Sequence, residues 1–113
     1  MKDKLITLVT VLGEKQDSSG FKTGEETQRI EVFAEVKSVG RSEYYEALRA
    51  SMKVSIIFAV DPDDFLLSEV EISLKDGNTK KLKASKVEYD GTLYQIVRTY
   101  NKGDLELTCR EVE

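Results

Sequence analysis

The chain has 113 residues, a formal net charge of −4, one cysteine and no histidine. That length supports a single domain (1–113) that buries roughly two-thirds of its unfolded surface, and no apolar run approaches the roughly 20 residues of a membrane-spanning helix. One cysteine excludes an internal disulfide and dependence on an oxidising compartment, while the acidic balance argues against a general binder of phosphate backbones.

Residues 4–12 open the fold. Leu5, Ile6, Thr7, Leu8, Val9, Thr10, Val11 and Leu12 have the composition of a strand. Before them stands a charged start, with no small-residue cleavage site after the short, Thr-interrupted apolar run, so synthesis in the cytoplasm is expected. Residues 13–27 carry Gly13, Gly20 and Gly24 among charges and serines, with Phe21 as the one apolar anchor. They predict a long early loop, of the kind that is functional or disordered. A half-buried strand follows, with Ile30, Val32, Ala34 and Val36 on one face and Arg29, Glu31, Glu35 and Lys37 on the other. Phe33 is the one large apolar residue on its polar face.

The period then changes. After Gly40, Ser42 can cap a helix with Glu43 and Glu46 in its first turn and Arg49 in a later one. Tyr44, Leu48 and Met52 stack on one side with Tyr45 beside them, which predicts a short helix over 42–52 plugging an open end of the sheet. From Val54 the β period returns. Val54, Ile56, Phe58 and Val60 face one way and Ser55, Ile57 and Ala59 the other, so this strand is expected to be central, and Pro62 ends it.

Residues 65–74 read as a strand with Val70, Ile72 and Leu74 inward, and Asp76-Gly77-Asn78 as a turn to a partner that begins near Thr79 and holds Leu82 and Val87. Lys75, Lys80, Lys81, Lys83 and Lys86 form a basic patch, read as a solvated edge that discourages sheet-to-sheet aggregation. Asp90-Gly91 marks a tight turn after Val87 and Tyr89, 93–100 runs as a strand to a turn at 101–104, and 105–112 is the last strand, with Cys109 inward. The sum is a mainly β fold: a small antiparallel β-barrel or sandwich with one short α-helix and a long early loop.

Catalytic chemistry finds little footing. Without histidine there is no imidazole base, no imidazole metal ligand and no Ser/His or Cys/His pair. Gly-rich phosphate loops, CxxC and HExxH are absent from the sequence. Asp61, Asp63 and Asp64 read as a solvated turn rather than a metal site, and Cys109 as a small buried hydrophobe rather than a nucleophile. No catalytic residue, cofactor or metal is therefore expected. What stands out is aromatic and near arginine: Phe33, Tyr44, Tyr45 and Tyr100, with Arg41, Arg49 and Arg98, the composition of protein interfaces. The competing reading of Tyr44 and Leu48 is that they fill the domain's own core.

Several blocks carry a resemblance. Phe33-Ala34-Glu35-Val36-Lys37-Ser38-Val39, then Arg41-Ser42-Glu43-Tyr44-Tyr45-Glu46-Ala47, then Met52-Lys53, and finally Tyr94-Gln95-Ile96-Val97-Arg98-Thr99-Tyr100 resemble the head-closure proteins (head-tail connectors, or stoppers) of long-tailed bacteriophages and of prophages in Gram-positive bacteria. The blocks cover most of the chain from Arg29 onward. That family commonly has Trp where Phe33 stands and Gly-Met-Lys-Pro where this chain has Ser51-Met52-Lys53-Val54, and its acidic connection is shorter than residues 61–85.

The resemblance implies a virion structural protein, made in the bacterial host cytoplasm, that is a monomer when isolated and self-associates into a ring below the portal and adaptor. There it closes the DNA-filled head and offers a docking surface to a tail-terminator or tail protein. The early loop, with Gly13, Gly20, Phe21 and Gly24, would project into the channel as a gate. Phe33, Arg41, Tyr44, Tyr45, Arg49, Arg98 and Tyr100 would belong to the assembly interface. Neither specific nucleic-acid binding nor membrane association is implied. A related neck or tail-completion protein is a neighbouring reading. From other classes come an oligonucleotide-binding barrel that stacks bases on Phe58, Tyr94 and Tyr100, and, last in rank, a carboxylate-metal enzyme.

Overall fold

In this computed structural model residues 1–16, 22–37, 56–74 and 76–112 are described. The elements in chain order are β1 (Lys4–Gln16), β2 (Lys22–Lys37), β3 (Ile56–Val60), α1 (Pro62–Leu66), β4 (Val70–Ser73), β5 (Thr79–Leu82), β6 (Lys86–Tyr89), β7 (Thr92–Lys102) and β8 (Asp104–Glu111). The helix expected over 42–52, with Arg41, Tyr44, Tyr45 and Arg49 in or beside it, lies outside the described residues, as do Gly20 and Phe21.

Period-two patterning closes on itself. Six antiparallel strands form a barrel in the order β1-β2-β3-β8-β7-β6, with β6 returning to β1, while β4 and β5 make a separate two-stranded sheet. The inward residues Ile6, Leu8, Val32, Ala34, Phe58, Val60, Val87, Leu107 and Cys109 form the core, joined by Phe65 and Ala84. Phe58 fills the centre, with Tyr89 and Tyr94 edge-on to its ring at 5.5 and 5.6 Å between centroids, a favoured aromatic geometry. Cys109 is fully buried among these side chains, and burial pushes its thiol up to about 12.

β3 is central as expected, between β2 and β8, and its residues from Ile57 to Val60 are buried on both faces. The outer face has a specific cover. Register pairs Lys37 with Ile57 and Ala59 with Glu106, so all four share the outside, and Lys37 Nζ meets Glu106 Oε2 at 3.0 Å across the intervening strand. The same device recurs where Arg29 of β2 pairs with Glu88 of β6, crossing β1 at the outward but buried Val9.

Three expectations are corrected. The early loop expected over 13–27 is shorter at both ends: Gly13 to Gln16 continue β1 and Lys22 to Thr27 belong to β2, with 17–21 outside the described residues. A bulge between Val11 and Gly13, and a shift between Lys15 and Gln16, break the register without ending the pairing. Gly24 takes φ +139, a backbone region that L side chains rarely enter. The β6 ladder stops at Val9 and the β3 ladder starts at Ala34. Among the described residues, the distal parts of β1 and β2 therefore pair only with each other, as a two-stranded ribbon.

The strand expected over 65–74 begins only at Val70, and Phe65 lies in α1. Asp61-Pro62-Asp63-Asp64 is a helix start: the Asp61 side chain accepts from the Asp63 amide at 2.9 Å, Pro62 sits in the first turn, and two carboxylates lie near the positive dipole end. Val87 is the third correction. It belongs to β6 of the barrel, while the hairpin partner, β5, ends at Leu82.

A buried hydrogen-bond relay fixes α1 to the barrel. Thr10 Oγ1 donates to the Ser68 carbonyl at 2.8 Å, Ser68 Oγ donates to the Phe65 carbonyl at 2.7 Å, and the Ala84 amide donates to Ser68 Oγ at 3.1 Å. Asp90 (φ 50) and Gly91 (φ 79) both take positive φ, as a two-residue type I′ hairpin loop requires between β6 and β7.

Phe58→Ala should cost about 3–5 kcal/mol in denaturant unfolding. Ser68→Ala, which strands the Ala84 amide, should cost about 1–3 kcal/mol. Alkaline titration tests Cys109. Above about pH 9 the unfolded thiol loses its proton while the buried one keeps it up to about 12. The unfolded state then binds fewer protons, so stability should fall with rising pH by up to roughly 1.4 kcal/mol per unit across that window. Cys109→Ala should flatten this part of the stability profile.

Candidate assembly surface

The cysteine and the acidic triplet singled out in the sequence both have a defined place in the fold. Cys109 is buried and protonated. Asp61 caps α1, so the acidic triplet is a helix N-terminus rather than the expected turn. Among the described residues no group of three or more Cys, Asp or Glu is placed to hold a metal ion. No described helix is long and apolar enough to cross a membrane. Phe58 is fully buried and offers no ring face for a base, Tyr94 presses edge-on against it, and only Tyr100 of that trio is exposed. The basic patch divides, with Lys80 and Lys81 exposed on β5, Lys83 exposed beyond it and Lys86 half-buried in β6.

Phe33 and Tyr100 are different. Phe33 is 56% exposed on the outer face of β2, directly across from Leu5 of β1, itself 50% exposed. Along the same face of β2 stand Glu31, exposed, and Glu35, which holds the N-terminal ammonium at 3.2 Å. This is an apolar pair flanked by two carboxylates on β2, with Arg29 and Lys37 farther along the same face.

Tyr100 reaches the outside through a bulge. Ile96 pairs with Cys109 and faces inward, and unbroken alternation would put Arg98 and Tyr100 on that same inner face. The register shift between Ile96 and Arg98 instead pairs Arg98 with Thr108 and Tyr100 with Glu106, turning Arg98, Tyr100 and Lys102 outward. Tyr100 is 57% exposed, and Lys102 Nζ lies 5.5 Å from its ring centroid, within cation–π reach. Sequence alternation alone could not supply this orientation, because the bulge exists only in the pairing with β8.

Ion pairs hold the strands between these two faces. Lys2 Nζ contacts Asp104 at 2.8 Å, and this hydrogen bond holds the Lys2 ammonium above its ordinary value. The hydrogen bond to Glu106 does the same for Lys37. Phe33 and Tyr100 are not brought into one cluster, since β3 and β8 separate their strands. Of the proposed gate glycines, Gly13 and Gly24 lie in the ribbon.

One feature the sequence reading missed is a cleft of about 480 Å³ beside α1. Pro62, Phe65, Leu66, Lys83, Ala84, Thr99, Asn101 and Leu105 line it. The Asp-Pro helix start was the signal that could have placed α1 there.

Compared with known proteins, the chain matches no family model, and no curated protein is detectably similar to it.

Proposed function

We propose that this chain is a structural subunit of a phage head-tail connector. In this reading it closes the DNA-filled head below the portal and adaptor and presents a docking surface to a tail-terminator or tail protein. The observation that carries the reading is the ordered set of sequence blocks from Phe33 to Tyr100. The barrel with its paired ribbon is compatible with it, because a ribbon based in a closed sheet is a stiffer projection than a free loop. As a connector the chain is no enzyme and needs no cofactor. It is made in the host cytoplasm, remains a monomer or weak oligomer when isolated, and joins a ring in the virion. A net charge of −4 suits the wall of a DNA conduit, since it offers few anchors to phosphates. The neighbouring reading, a neck or tail-completion protein, differs in where along the head-tail axis the ring sits.

Deleting the gene from the phage or prophage that encodes the chain should leave DNA-filled heads that leak and separate, unjoined tails under electron microscopy. The intact chain supplied in trans should restore joined particles. A variant in which a two-residue turn links Leu12 to Thr27 should melt close to the parent, because the barrel ladders lie outside the deleted segment, but should fail to retain DNA. Normal, infectious particles without the chain would overturn the proposal.

A further inference from the structure

We draw no further inference here: the strongest candidate, the largely apolar cleft beside α1 that Phe65, Leu66, Lys83, Ala84 and Leu105 help to line, carries nothing because nothing in the structure shows what covers it.

Discussion

Closure of the sheet is the constraint on which the rest depends, and it is made by a short ladder. Thr7 with Glu88, Leu8 with Val87 and Val9 with Lys86 are the paired positions that join β6 to β1. The Ser85 amide extends the seam by donating to the Val9 carbonyl at 3.0 Å, and the Arg29–Glu88 pair crosses it from outside. An open six-stranded sheet would leave two edges whose unpaired amides and carbonyls invite other strands. Closed, it gives every strand a defined inside and outside. The identity of the outward residues is then fixed by register, and a slip of one residue would exchange them all.

The inside is filled around Phe58, and that filling sets what the outside can be. With one ring at the centre and two tyrosine edges against it, little room remains for another large side chain, and overpacking such a core is itself destabilising. Outward positions on the crowded strands are accordingly small or covered. Ala59 lies beneath the Lys37–Glu106 pair, and Val9 beneath the Arg29–Glu88 pair. Exposed ion pairs contribute little stability by themselves. Here their alkyl stems also shield apolar surface on the strand they cross.

How much of this was legible in the sequence follows from how local each signal is. The cores of β1, β2, β3, β7 and β8 announce themselves by alternation or by strand composition, whereas β6 merges in the sequence with the hairpin strand before it. The β6–β7 turn announces itself by Asp90-Gly91, since both positive φ values are needed within two residues. The ribbon did not announce itself. Gly13-Glu14-Lys15-Gln16 has no apolar residue to alternate with polar ones, so its composition reads as loop although the backbones pair. The α1 start was present as Asp61-Pro62 but was read only as a strand stop, because Val70, Ile72 and Leu74 extended the β pattern backwards over Phe65. Phe33 was recognisable as the odd residue on a polar face. Its partner Leu5 was not, because their juxtaposition depends on register across the hairpin.

Tyr100 shows why exposure on this barrel is built in rather than left over. Plain alternation through Tyr94, Ile96, Arg98 and Tyr100 would turn an arginine and a second tyrosine toward the inner side. The bulge at Val97 reverses the phase, so that Thr99 and Asn101 take the inner side opposite Leu107 and Leu105, where they border the cleft under α1. Phe33 is locked out by the other route. Its neighbours Val32 and Ala34 are both buried, and turning the strand over would expose them while forcing a phenylalanine inward. Both rings therefore stand on the outer face through register, Phe33 through its buried neighbours and Tyr100 through the bulge.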